Sequence, residues 1–272
     1  MKYSTPIVDV HLNNHCNLAC VGCNHFSDLT DYKTPQISDD NLFETLNLVS
    51  QKIECTTQLS LLGGEPLLRK NFKQLLVTCL TILKKNNFDM SKVRLYSNGL
   101  LLHKHLYLKD ILDEYKFKLY ISFHPNKQSK YRAPLLKNIK LFLGQWKGKK
   151  RPVEIGTGVH FLKQYRESKG KIYPFKSDDI NASYNNCSCP NTQAYNMKLY
   201  KCAPIAYLPF ALKRTNQSNE RWWKKYLEYT PASLYDDSEL RKFFNVQHQS
   251  EQICSMCPSE PVWIQKKDRS QI

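Results

Sequence analysis

Three cysteines in close succession, Cys16, Cys20 and Cys23, place the tightest constraint on this sequence. They stand in Asn14-His15-Cys16-Asn17-Leu18-Ala19-Cys20-Val21-Gly22-Cys23-Asn24-His25, directly after an alternating apolar segment. At C-x3-C-x2-C spacing the three thiols can close around one metal centre. A structural zinc site takes four tetrahedral ligands, so three cysteines leave one position over. In a four-iron cluster that position suits a ligand that is not protein. The alternatives are zinc completed by His15 or His25, or cysteines that merely pack, because thiolate sites of the two metals share ligand types.

The chain around this triplet alternates strand and helix. Residues 6–12 alternate as a strand and deliver the chain to Cys16. Ser38 can cap a helix bearing Leu42, Leu46, Val49 and Ile53. A second strand ends at Gly63, and a second helix carries Phe72, Leu75, Leu76, Cys79, Leu80 and Leu83 on one stripe. Residues 93–99 and 118–125 read as third and fourth strands, with helices marked by Leu108, Ile111, Leu112 and Tyr115 and by Leu135, Ile139, Phe142 and Trp146. Residues 153–161 form a fifth strand whose glycines allow a ligand close approach. Units of roughly 25 to 35 residues imply βαβ modules with parallel strands and right-handed crossovers. Sites on such barrels lie at the C-terminal ends of strands. Cys16, Gly63, Asn98, Ser122 and His160 all fall at or near such ends.

The run Leu59-Ser60-Leu61-Leu62-Gly63-Gly64-Glu65-Pro66 follows the cysteines by about one βα unit. Together with C-x3-C-x2-C it resembles the radical S-adenosylmethionine (SAM) superfamily, whose signature places the cysteines after the first barrel strand and GGEP after the second. The resemblance implies that Cys16, Cys20 and Cys23 hold a four-iron, four-sulfur cluster, and that SAM chelates the fourth iron. An electron from that cluster then cleaves SAM to methionine and a 5′-deoxyadenosyl radical, which abstracts hydrogen from an unactivated carbon. It also assigns Gly63, Gly64, Glu65 and Pro66 to cofactor binding, adds Ser97 and Asn98 through Ser-Asn-Gly, and nominates Ser122 after the fourth strand. His124 and His160 are the candidate catalytic residues. Gly22 stands where relatives often carry an aromatic residue against the adenine, and Phe26 is the candidate substitute.

After about Lys163 the composition turns polar, and five further cysteines follow: Cys187, Cys189, Cys202, Cys254 and Cys257. Cys189 and Cys202 stand at the feet of a small hairpin, and Cys254-Ser-Met-Cys257 returns near the end. This order resembles the twitch domain, which holds one auxiliary four-iron cluster on four cysteines; Cys189 is preferred to Cys187 because it opens the hairpin. A zinc ribbon is the alternative. Trp222, Trp223, Tyr226 and Tyr229 read as core or interface residues. The expected architecture is α/β: a partial TIM-like (β/α)5–6 barrel over residues 1–165, with a small cysteine-rich twitch domain over 166–272.

Hydrophobic residues at 41% support a sizeable core among the 272 residues. No segment reads as a membrane span or signal peptide, which makes a cytoplasmic protein the expectation. There, ten cysteines point to metal or redox work rather than disulfides. The net charge of +16 suits a solvated Lys-rich surface or an anionic small-molecule substrate, and no nucleic-acid-binding signature accompanies it. Compact twitch enzymes that oxidise sugar-like alcohols are the nearest functional resemblance. It implies two clusters, SAM, a phosphorylated or nucleotide-linked sugar or a cyclitol, and a flavodoxin- or ferredoxin-like reductant. An epimerase, a peptide-modifying maturase and a non-catalytic zinc protein that binds nucleic acid are the rival readings.

Overall fold

A computed structural model describes residues 2–29, 34–123, 130–147, 150–157, 160–187 and 191–265. The first half alternates as expected: β1 (Tyr3–Asn13), α1 (Asp39–Lys52), β2 (Ile53–Gly63), α2 (Phe72–Lys85), β3 (Val93–Ser97), α3 (Leu108–Tyr115), β4 (Lys118–Ser122), α4 (Arg132–Leu143) and β5 (Val153–Gly156). The second half adds β6 (His160–Leu162), β7 (Arg166–Ser168), β8 (Lys171–Tyr173), α5 (Ile180–Asn185), β9 (Thr192–Tyr195), β10 (Lys198–Tyr200), α6 (Ala203–Arg214), α7 (Lys224–Leu227), β11 (Ala232–Ser233), α8 (Asp237–Val246) and β12 (Trp263–Gln265).

Local chemistry fixes several of these boundaries. Ser38 Oγ accepts from the Asn41 N–H at 3.2 Å, and Asp39 and Asp40 fill the first turn of α1. Ile53, expected to close that helix, is extended instead and opens β2, where a β-branched residue packs well. Trp146 lies in the turn after α4 and is buried there. The expected fifth strand is two short ones. β5 ends at Gly156, and β6 leaves the sheet to pair antiparallel with β12. The space beside Gly156 is filled by the Tyr120 ring rather than left for a ligand.

An eight-stranded sheet runs in the order β11-β10-β9-β1-β2-β3-β4-β5. β1 to β5 are all parallel, as the βαβ spacing requires. A sixth parallel strand does exist, and the second half supplies it. β9, the first strand of the cysteine-flanked hairpin, pairs in parallel with β1, while β10 and β11 add on antiparallel.

Because side chains alternate along a strand, the sheet has two distinct faces. Val8, Val10, Leu12, Leu59, Leu61, Val93, Leu95, Leu119 and Ile121 form one face, buried with the apolar stripes of α1, α2, α3 and α4 in the main core. The other face carries Asp9, His11, Ser60, Arg94, Tyr96, Tyr120 and Ser122. At mid-height one cross-strand row reads Gln193, Asp9, Ser60, Arg94, Lys118. A second core joins Phe26 and Leu29 from the cysteine loop to Tyr165, Tyr207, Trp223, Tyr226 and Met256. The aromatics read as core residues are therefore core, and they seat the first cysteine loop on the second half.

Candidate functional site

The cysteine loop is held down backbone to backbone on the turn after β2. Gly64 N–H donates to Asn13 O at 2.5 Å and Glu65 N–H to His15 O at 2.7 Å, while Asn13 Nδ2 reaches Glu65 O at 2.6 Å and His15 O at 2.9 Å. This contact explains the paired glycines. A Cβ on Gly64 would fall 2.2 Å from His15 O, and one on Gly63 would fall 2.4 Å from Asn13 O. Inside the loop, Cys23 N–H donates to Cys20 O at 3.1 Å and Phe26 N–H to Cys23 O at 2.9 Å. Asn98 Nδ2 bridges to Asn17 Oδ1 at 2.7 Å and approaches Cys16 Sγ at 3.8 Å. The ends of β1, β2 and β3 are thus one hydrogen-bonded unit.

Glu65 is the strut of that unit. Its buried carboxylate accepts from Ser97 Oγ at 2.9 Å, Leu67 N–H at 3.0 Å and Asn98 N–H at 2.7 Å. Burial pushes its pKa up to about 7, against the pull of these three donors.

Cys16, Cys20 and Cys23 open into a cavity of about 260 Å³, together with Gly63, Gly64, Ser97, Asn98 and Ser122. Eight of the residues nominated from the sequence therefore share one space at the C-terminal ends of the parallel strands. Glu65 and Pro66 are buried at its edge, where they hold the turn. His160 is not brought to it: that residue is exposed on β6, and its neighbour Phe161 lines the cavity instead. His124 and Cys189 lie outside the described residues. Phe26 is fully buried against Tyr165, with ring centroids 5.4 Å apart, and does not line the cavity. Ile264 of β12 packs onto Gly22, whose φ of +76° suits glycine, and a Cβ there would fall 2.2 Å from Ile264 Cδ1. Sequence reasoning passed over Asp9, Ser60, Tyr96 and Asn191, which also line the cavity. The period-2 alternation of β1 and β2 carried the signal for the first two.

The donor set suits a multi-iron group. Burial, first of all, raises the Cys16 and Cys23 thiols, Cys16 well above the ordinary range, so a cationic centre would be needed to hold them as thiolates. Three soft donors face a space large enough for a further ligand. In the second half, Cys187, Cys202, Cys254 and Cys257 line a smaller cavity of about 30 Å³. Burial raises Cys202, Cys254 and Cys257, and the neighbouring thiols raise them further. Lys201 beside them is buried, donating to Gln247 O at 2.9 Å and Gln249 O at 2.7 Å and pairing with Glu251 at 2.7 Å. Cys187 is the fourth cysteine among the described residues that line this cavity. Among the described residues no group of three or more His, Cys, Asp or Glu side chains has the arrangement of a single-ion site. Cys55 and Cys79 are apart from both sets, buried in the main core, and burial pushes each to about 12.

Comparison with known proteins agrees with this geometry. A family described as a 4Fe-4S single cluster domain matches residues 7–137, a span that starts in β1 and ends in α4. Among solved structures, native anSMEcpe with bound AdoMet and a Cp18Cys peptide superposes with a TM-score of 0.50 at 16% identity, covering 92% of this chain and 85% of that one. The same protein with bound AdoMet alone gives 0.48 at 16% identity, covering 92% and 88%. No curated protein sequence matches the chain. The chain thereby shares the fold of that AdoMet-bound structure, a mixed α/β partial barrel around a parallel sheet.

Proposed function

We propose that this chain is a radical SAM enzyme. One observation carries the reading: Cys16, Cys20 and Cys23 share a single cavity with Gly63, Gly64, Ser97, Asn98 and Ser122 at the strand ends. Cys16, Cys20 and Cys23 would hold a four-iron, four-sulfur cluster. Bound there with SAM, that cluster supplies a 5′-deoxyadenosyl radical, the chemistry that the protein itself lacks. The chain's own residues hold and orient. Gly63 and Gly64 let backbone approach the site, Asn98 ties the cysteine loop to β3, and Glu65 fixes the turn beneath it. Leu18, Leu62 and Phe161 supply an apolar wall that limits water.

The second set, Cys187, Cys202, Cys254 and Cys257, is proposed to hold an auxiliary four-iron cluster in a twitch-like unit over 166–272, after a core over 1–165. The substrate is proposed to be a sugar-like molecule or cyclitol, phosphorylated or nucleotide-linked, oxidised at an alcohol carbon. A flavodoxin- or ferredoxin-like partner would supply electrons. The place of Cys55 and Cys79 in the main core, away from the cavity, supports oxidation over epimerisation, because neither thiol lies where a hydrogen donor is needed. A peptide substrate is the second reading, raised by the peptide bound in the matched structure.

The test is anaerobic reconstitution with iron and sulfide, followed by reduction in the presence of SAM. Formation of 5′-deoxyadenosine, lost in Cys16→Ala, Cys20→Ala and Cys23→Ala, is expected. Undiminished cleavage in all three variants would refute the site.

A further inference from the structure

Asp9, Ser60, Tyr96 and Asn191 line the cavity without any part in the cofactor-holding roles given above. Asp9 lies midway along β1, on the polar face of the sheet, and is only 4% exposed. Its Oδ2 accepts from Gln193 Nε2 at 2.8 Å and Asn191 Nδ2 at 3.2 Å, both carried by the β9 strand and the residue before it. Its Oδ1 is buried and meets no hydrogen bond of good geometry, although the Ser60 side chain is near enough to lower the pKa of Asp9. Ser60, the residue directly across on β2, lines the same cavity, as do Tyr96 and Asn191. Tyr96 is fixed there by Gln58, which donates to its hydroxyl at 2.8 Å.

A buried carboxylate oxygen without a partner is costly, so its place on a cavity wall calls for a group that completes it. Burial raises the pKa of Asp9, against the pull of Ser60, Gln193 and Asn191. A partner that can both donate and accept completes this oxygen in either protonation state. Among the described residues that line the cavity there is no Lys or Arg, so nothing there balances a phosphate. A neutral, hydroxyl-bearing group answers both conditions.

We propose that Asp9, with Ser60 and Asn191, forms a substrate subsite that receives a hydroxyl of a neutral, polyol-like part of the substrate, and that any phosphate of that substrate stays outside this cavity. The inference rests on the substrate reading given above and narrows it. Asp9 also ties β9 to β1, so loss of stability alone would not distinguish a subsite from a strut.

The experiment is ligand-observed saturation-transfer NMR on anaerobically reconstituted protein. The probes are myo-inositol, scyllo-inositol and glucose, with the monophosphates of inositol and glucose. Wild type is expected to contact at least one neutral polyol. Asp9→Ala should weaken that binding by about tenfold or more, the scale of a lost hydrogen bond to a charged group. Asp9→Asn, which keeps the shape and the fold, should weaken it less, and Ser60→Ala by a few-fold. Thermal melting of each variant separates a strut from a subsite, since a strut moves the melting temperature and leaves affinity alone. Binding unchanged in both Asp9 variants, no neutral polyol bound by wild type, or monophosphates bound through Asp9 would each overturn the proposal. Failure of the radical SAM reading shows separately, as absence of 5′-deoxyadenosine from wild type under reduction.

Discussion

Glu65 shows how a residue can matter at a site without facing it. In sequence it is part of a cofactor-binding signature; in the structure its carboxylate is turned inward on three donors from the turn and from β3. Glu65→Ala is expected to leave Leu67 N–H, Ser97 and Asn98 N–H without an acceptor. Unsatisfied buried donors cost about 1–3 kcal/mol each, so a stability loss of roughly 3 kcal/mol or more should appear as a lower urea midpoint. An unchanged midpoint would contradict the strut. Gly22→Ala should destabilise the cysteine loop by about 1 kcal/mol from its positive φ alone, before the clash with Ile264, and thermal melting would register it. Cys55 and Cys79, pushed to about 12 by burial, are neutral thiols at pH 8. Iodoacetamide on native protein should leave both unmodified by mass spectrometry; labelling of either would contradict their place in the core. The triplet Cys16, Cys20 and Cys23 was legible because ligand spacing is a local property. The occupant of the space over Gly22 was not, because Ile264 arrives from the far end of the chain.

At the scale of elements, the parallel units through β5 follow from period-2 strands and helices with one apolar stripe, both of which composition and spacing expose. What escaped was β9. A short strand flanked by cysteines reads as half of an isolated hairpin, yet it pairs with the free edge of β1 and takes the place of a sixth barrel strand. Edge pairing is chosen by three-dimensional neighbours, and Thr192–Tyr195 carries no local mark of it. The second thiol set is likewise assembled from distant segments. Cys187 lies just after the short helix α5, and it joins Cys202, at the N-terminal end of α6, and Cys254 and Cys257 in the turn ahead of β12. Cys187→Ala, Cys202→Ala or Cys257→Ala should lower iron content by about one cluster while uncoupled SAM cleavage persists. Cys189→Ala, at the position that the hairpin favoured in sequence, tests which of the two cysteines is the fourth ligand. Circular dichroism must accompany the iron assay, since losing a structural metal can unfold its surroundings. Equal iron loss in Cys189→Ala and none in Cys187→Ala would reverse the ligand assignment.

For the whole molecule, the second core joins the cysteine loop to the second half through Phe26, Leu29 and the aromatics around Trp223, so the two thiol sets belong to one connected structure. No helix among the described residues is long and apolar enough to cross a membrane. The net charge of +16 favours encounter with anionic molecules in general, an effect that salt should weaken through screening. All of this depends on one claim, that the chain holds iron and uses it on SAM. The direct test is to purify the protein without oxygen, reconstitute it, and measure iron, sulfide and 5′-deoxyadenosine after reduction with SAM. The expected result is brown protein with about eight irons, one four-iron cluster on each of the two thiol sets, and 5′-deoxyadenosine that disappears in Cys20→Ala. Colourless protein holding zinc alone, with no cleavage of SAM, would contradict it.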